Sequence, residues 1–481
     1  MAGRFIMLAL IVLNPIYCVL AQEDRVLNHL ATYNMQWTAS HPYLMEYAFQ
    51  PFYSAGLVYE TGSGDFRSAF QAERYNEIGF RSQSQKAIKD WKLQGTFSYK
   101  KLLEQQQPYL LERASSPIVP FTLADGESNS WSGDQVDFFL SALSPLWLNR
   151  LRTHALIRYE VGSGNRNAEP RPLYRHNDLQ VEVGTSYSLS NMFKIGIAGS
   201  IEQILEENSI GVFAVQDFSL YQLRGISTFT RNTFQSFQRT QKNTTLGGKG
   251  FISYGKENQW GFLEFTASTG RYEAMDGIAF PLDAGNVELG SAKINTGHTR
   301  EISNGTILQM NASWENRSSM ATDPIFKAIN YDFSQSRLLF NSSLLYTERI
   351  VRQIGVNISH ARESREETAG RDLLAFQNME YGIDTDVVIP INTNQLLWLK
   401  PSIARRSNLN TQGNSDTEGL LRNIFEQEFR YYGTGAYLPQ IQANWLSKIQ
   451  KNQLNVGVKY ISEIAKQTSF NRICLSIGLL F

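Results

Sequence analysis

The chain has almost no cysteine: two in 481 residues, Cys18 and Cys474. That excludes a disulfide framework and a cysteine-rich metal site. It carries no net charge, with 45 basic and 45 acidic side chains. Nucleic acid is therefore not the expected partner, since it favours a basic face. Beyond residue 21 no apolar run approaches the roughly 18 residues that a membrane helix needs. Such a chain crosses a membrane only as a closed sheet, which satisfies every backbone group in lipid. Catalytic signatures are missing too. The six histidines, His29, His41, His154, His176, His298 and His360, form no His-Glu-x-x-His. There is no Gly-x-Ser-x-Gly and no phosphate-binding glycine loop. Neither a cofactor nor a metal site is expected.

What the chain does have is alternation. Near its end Ile473, Leu475, Ile477, Leu479 and Phe481 share one parity, and Arg472, Cys474, Ser476 and Gly478 share the other. Period two means a strand with one apolar face and one polar or small face. Residues 151–161, 192–201, 375–389 and 453–462 alternate in the same way. Charges in such strands must point into a wet lumen, because a midplane Arg or Lys facing lipid costs about 2–4 kcal/mol. A soluble sandwich shares the period with its apolar face inward; the number and length of the strands decide against it.

In chain order, residues 1–21 read as a secretory signal: Arg4, an apolar run over 5–13, and Val19-Leu20-Ala21 before the cleavage point. Cys18 leaves with it, because Pro15-Ile16-Tyr17 lacks the small residue expected ahead of a lipidated cysteine. Residues 22–53 form a leader without strand alternation, with a short helix over 24–33 and breaks at Pro42 and Pro51. This leader either hangs in the periplasm or folds into the barrel mouth. Residues 54–481 hold about eighteen strands, within a range of 16–20. Eight tight polar connections, such as 86–90, 145–150 and 448–452, alternate with nine on the other side, of which 100–134, 162–177, 202–243 and 406–436 are long. The expected fold is all-β: a single transmembrane, antiparallel, up-and-down β-barrel with short periplasmic turns and long extracellular loops.

Three strands, 244–254, 259–271 and 286–300, keep parity poorly, which predicts a bulge or a shifted register. Aromatics near strand ends, among them Trp91, Tyr99, Tyr159, Tyr187, Trp260, Tyr381 and Tyr437, are expected in interfacial girdles. Sequons occur at Asn243, Asn304, Asn311, Asn316, Asn341 and Asn357. Several fall inside strands and read as polar pore-side residues of a bacterial protein rather than glycosylation sites.

Candidate lumen residues are Arg152, His154, Arg158, Glu160, Asp384, Asp386, Lys459 and Arg472. The basic loop 162–177 offers Arg171, Arg175 and His176 for a constriction, with a solvated loop tip as the alternative. Lumen charges balance in sign, where a strongly selective pore would show one dominant ring. Balance fits cross-lumen ion pairs or a lumen filled by a loop or the leader, and equally an interior merely hydrated by mixed charge. Aromatics in the outer loops, such as Tyr109, Phe121, Trp131, Phe213, Phe237, Phe425 and Tyr432, fit packing over the mouth, with ligand or partner contact as the second reading.

Glu169-Pro170-Arg171, the early Gly62-Ser63-Gly64 hairpin, the signal, the short leader and the terminal Phe481 resemble a family of uncharacterised bacterial outer-membrane β-barrels. That family is known as a domain of unknown function and is often encoded near TonB-dependent transporters. The resemblance implies residence in the outer membrane of a Gram-negative bacterium and contact with its lipid. It implies assembly by the barrel-assembly machinery through the C-terminal strand, with Phe481 as the signal, and another outer-membrane transporter as a partner. It further implies a role in nutrient or metal uptake. With the periodicity, the turn asymmetry and the richness of the outer loops, the expected function is a non-catalytic barrel, a channel or accessory component in that uptake with a partly occluded lumen. The alternatives are an open general porin and a barrel-embedded outer-membrane hydrolase. A hydrolase would set a Ser or Asp beside a histidine such as His154 or His176.

Overall fold

The computed structural model describes residues 37–481 apart from 50, 114, 214–217, 235, 257–258, 278, 304, 347–349, 451, 467 and 481. The signal, the helix expected over 24–33 and the terminal Phe481 thus lie outside the described residues. The wall is one antiparallel sheet. Its first half consists of β1 (Phe52–Gly64), β2 (Arg74–Ile88), β3 (Trp91–Leu110), β4 (Thr122–Leu143), β5 (Leu151–Arg166), β6 (Arg171–Ser188) and β7 (Phe193–Gly211). A short hairpin, β8 (Phe218–Leu223) and β9 (Phe229–Phe234), interrupts the series. The wall resumes with β10 (Ser236–Lys256), β11 (Gln259–Asp276), β12 (Leu282–Ser303), β13 (Thr306–Thr322), β14 (Ile329–Tyr346) and β15 (Val351–Glu367). It ends with β16 (Asp372–Asn392), β17 (Gln395–Asn414), β18 (Ala436–Ile449), β19 (Asn452–Ala465) and β20 (Thr468–Leu480). Without the hairpin these are eighteen strands, each bonded to its chain neighbour, and β20 closes on β1 from Ser54 opposite Leu480 to Gly64 opposite Phe470.

The outward faces explain why the strands outrun the expected spans. A tilted strand needs about 9–11 residues to cross lipid, and these strands have 13–22. On β7 the outward Ile195, Ile197 and Ile201 give way to Gln203, Glu207 and Ser209. On β15 the outward Ile354, Val356 and Ile358 give way to His360, Arg362 and Glu366. The strands therefore continue beyond an apolar band, at the end away from the tight turns. There both faces are polar, so hydropathy stops alternating although the ladder does not. The expected loop 100–134 shrinks to 111–121, and 162–177 shrinks to 167–170. Trp91, Tyr99, Tyr159, Tyr187, Tyr381 and Tyr437 do stand exposed on the outer face. Trp260 does not; it is buried and points inward.

The reason lies in the lumen at the turn end, where residues 37–48 are packed, including a 3-10 turn at Pro42–Glu46. Tyr43 stacks on Phe251 with centroids 3.7 Å apart and planes 5° from parallel. Trp37 meets Phe262 edge to face at 5.6 Å, and Leu44, Ala48 and Trp260 complete the cluster. β10, β11 and β12 thus carry aromatic or small residues on their inward face. This blurs their parity; the bulge expected there is absent. The β10–β11 ladder runs unbroken from Arg239 opposite Asp276 to Lys256 opposite Gln259. The register shifts of the β11–β12 and β12–β13 pairings fall at Ala274/Met275 of β11 and Glu301/Ser303 of β12, outside the blurred stretches of those strands.

The loop end is roofed. Loop 111–121 folds across it: Tyr331 donates its hydroxyl to the Pro117 carbonyl at 2.6 Å, and Phe121 is buried with Tyr272, Val287 and Phe333. The β8–β9 hairpin pairs with β4, and in its turn the backbone N–H groups of Ile226 and Ser227 donate to Glu367. Helix α1 (Gly419–Gly433) buries Leu421 against Leu223 and Phe425 against Leu374 and Phe376. Most loop aromatics singled out above thus pack over the mouth, whereas Phe213 remains 74 % exposed.

The apolar band gives a direct test. Ile197→Arg, at an outward position 67 % exposed, should destabilise the protein refolded in lipid vesicles by about 2–4 kcal/mol in urea titrations. Glu207→Arg, on the same face of the same strand beyond the band, should change it by less than about 0.5 kcal/mol.

Candidate functional site

Between the packed leader residues and the roof lies a polar chamber of about 690 Å³. Its floor is tied to the wall by charge. Glu46 forms ion pairs with Lys194 and, at 3.6 Å, with Arg152. Lys92 donates to the carbonyls of Met45 at 2.8 Å and Glu46 at 3.2 Å. His41 Nδ1 lies 2.9 Å from Glu264, and the Tyr43 hydroxyl donates to the same carboxylate at 3.1 Å. Lys249 bridges Glu182 at 2.9 Å and Glu264 at 3.6 Å, and His154 Nε2 is 3.5 Å from Glu182. Thr38, Gln85 and Gln94 close a buried triangle of bonds at 2.5, 3.0 and 3.0 Å. Most of these buried polar groups have a partner, as low-dielectric surroundings require, whereas neither ring nitrogen of His154 makes a hydrogen bond among the described residues.

The ceiling is tied in the same manner. Glu160 accepts from Arg113 of loop 111–121 and sits 3.0 Å from His176 Nε2. In the same loop Glu112 accepts from Gln241 at 2.8 Å. Burial, reinforced by the nearby Glu206 charge, pushes the Glu112 carboxyl up to about 8, against the opposing pull of Arg239. Arg239 in turn is forked onto Asp276 at 2.7 and 3.0 Å.

The sequence candidates are placed as follows. Arg152, His154, Arg158 and Glu160 alternate along the inward face of β5, and Arg158 donates to the Ala39 carbonyl at 3.1 Å. On β16, Asp384 accepts from Gln353 at 3.2 Å and Asp386 pairs with Lys400 at 3.4 Å. Lys459 lies between Gln442 and Cys474 in the ladder, and Arg472 pairs with Glu463 at 3.3 Å. The loop 162–177 is not a constriction, because it is a hairpin continuing the wall. His176 faces inward, while Arg175 is exposed on the outer face. Arg171 stands at the rim, pairing with Glu169 at 2.9 Å and lying over the Phe213 ring at 5.0 Å. Of the sequons, Asn243, Asn311, Asn341 and Asn357 face inward, Asn316 faces outward, and Asn304 is outside the described residues. Glu46, His41, Lys249, Glu264 and Lys293 were not foreseen. The last three come from the strands with blurred parity, and that blur was the available signal. Among the described residues no histidine bonds a serine, and no three His, Cys, Asp or Glu gather as metal ligands.

Residues 42–481 match the model of a family described as "Family of unknown function (DUF6850)", and the chain belongs to that family. No curated protein matches. Among solved structures, the ferric preacinetobactin receptor BauA from Acinetobacter baumannii is 8% identical, with 90% of this chain and 80% of that one covered and a TM-score of 0.40. The ferric yersiniabactin uptake receptor FyuA from Yersinia pestis is 7% identical over 90% of this chain and 81% of that one, with a TM-score of 0.39. A TodX monoaromatic hydrocarbon channel mutant is 11% identical over 89% of this chain and 90% of that one, with a TM-score of 0.32. Likenesses at these values carry no argument about the chamber.

Two outcomes follow. Glu46→Gln leaves Lys194 and Arg152 facing a neutral group and should loosen residues 37–48 by about 1.5–3 kcal/mol, read as faster proteolysis of the leader with the barrel intact. Glu112 has its folded value raised, so its contribution is fully present at low pH and is lost as pH rises through about 8. Tryptic cleavage after Arg113 should therefore accelerate between pH 6.5 and 9, and Glu112→Gln should flatten that dependence.

Proposed function

We propose that this member of a family of unknown function is a non-catalytic barrel of the bacterial outer membrane, a channel or accessory component of solute uptake whose lumen is occluded at rest. The single observation that carries the reading is the seating of residues 37–48 across the lumen at the turn end, held by Glu46, His41 and Tyr43. The exposed apolar band and the tight turns support residence in the outer membrane, with the turns in the periplasm and the roof outside. Lipid covers the band, and the barrel-assembly machinery engages the C-terminal strand. Another outer-membrane transporter is the partner the family resemblance suggests.

An open porin needs a continuous water path, which the packed leader residues and the roof oppose. The ties are ion pairs and hydrogen bonds rather than covalent links, so displacing the leader residues opens the turn end without breaking the wall. Sign-balanced charge in the chamber offers no preference for ions of one sign. The reading is tested by single-channel recording in planar bilayers. The unmodified protein should show no large, steady open level, and a Glu46→Ala/His41→Ala variant should raise the open fraction about tenfold or more. A steady open level in the unmodified protein overturns it.

A further inference from the structure

The chamber's polar groups divide into two kinds. The charged ones are balanced: Arg158, Lys249 and Lys293 against Glu182, Glu264 and Asp384 among the described lining residues. Lys249 is already spent on two carboxylates. The amides are different. Gln180, Gln309, Asn311 and Asn341 line the chamber and have no hydrogen-bond partner among the described residues. An amide presents both a donor and an acceptor, so free amides suit a guest that is itself donor and acceptor at each position.

Their arrangement sharpens this. Asn311 of β13 is directly opposite Asn341 of β14, which is directly opposite Asn357 of β15. Three asparagines thus form a row across three strands, spaced by the strand separation of about 4.8 Å. The next position in the row is Gly297 of β12, opposite Asn311. There a side chain is excluded by Phe262 and the Trp37 indole together: a Cβ on Gly297 would lie 2.5 Å from Phe262 Cε1 and 2.9 Å from Trp37 Cζ3. Trp37 also lines the chamber. An aromatic ring therefore ends a row of three amides in a charge-balanced cavity. The volume, about 690 Å³, is within the range of pockets that enclose a small organic molecule.

We infer that the chamber binds a neutral, polyhydroxylated solute, a short oligosaccharide, laid along Asn357, Asn341 and Asn311 with the apolar face of one sugar on Trp37. Vicinal hydroxyls take the donor and acceptor of the free Asn341 and Asn311 amides, while Asn357, whose amide donates to Asp384, offers its carbonyl oxygen, and the C–H face of the ring covers the indole. The inference rests on the closed-chamber reading above and names what that chamber holds.

Isothermal titration of the purified full chain in detergent tests it, with neutral gluco-, xylo- and manno-configured di- and trisaccharides against citrate and spermidine as charged controls. At least one saccharide should bind, and neither control should. Asn311→Leu/Asn341→Leu and Trp37→Ala should each weaken binding about tenfold or more, while Trp37→Phe, which keeps an aromatic face, should stay within about threefold. Strand content by circular dichroism checks that each variant is folded. Absence of saccharide binding across the panel overturns the inference, as does equal binding by the folded Asn variant, or tighter binding of a charged control. A closed conductance record with no saccharide binding would defeat this inference alone; a steady open record would defeat the closed-chamber reading itself.

Discussion

The closure of β20 on β1 is the constraint from which the rest follows. An open sheet in lipid would leave a column of unpaired N–H and C=O groups, each costing several kcal/mol. Here that column is paired over eleven positions, from Ser54 opposite Leu480 to Gly64 opposite Phe470. Close approach at the seam is bought by glycine: a Cβ on Gly56 would lie 2.6 Å from the Ile477 carbonyl oxygen and 2.8 Å from Gly478 Cα. Once eighteen strands close, the circumference is fixed, and a barrel of that size is too wide for wall side chains to fill. Water or extra chain must occupy the interior. The leader residues, loop 111–121, the β8–β9 hairpin and helix α1 are that extra chain.

This ordering explains what could be read from the sequence. Strand number and the tight turns were legible because lipid imposes alternation and short turns demand polar, compact segments. The seam was legible too: Ile473, Leu475, Ile477 and Leu479 are exposed on the outer face, as their parity requires. The full height of the strands was not, because Gln203, Glu207 and Ser209 on β7 stand beyond the apolar band, where no force enforces contrast between the faces. Nor could parity locate β11 cleanly, since Trp260 and Phe262 face inward against chain rather than water.

The chamber was legible in halves. Residues on β5 were, because Arg152, His154, Arg158 and Glu160 alternate with apolar neighbours that face lipid. Their partners were not. Glu46 and His41 sit in a segment with no periodicity, and His41 meets Glu264 across 223 positions of sequence. Arg175 misled because charge density in 162–177 resembles a loop, whereas the backbone there continues the ladder. The outward side of a strand beyond lipid tolerates arginine as readily as a loop does.

The position of the leader in the chain has one more consequence, and it concerns time. The seat of residues 37–48 is composed of Lys92 on β3, Arg152 on β5, Lys194 on β7, Phe251 on β10, Glu264 on β11 and Gly297 on β12. No part of that seat exists as a surface until those strands have arched together. The segment is also leashed: Ala48 and Phe52 are at most about 14 Å apart at full extension. The part of the wall's own neighbourhood made first by the ribosome must therefore wait beside its own first strand, within reach but without a berth, and can be among the last to settle.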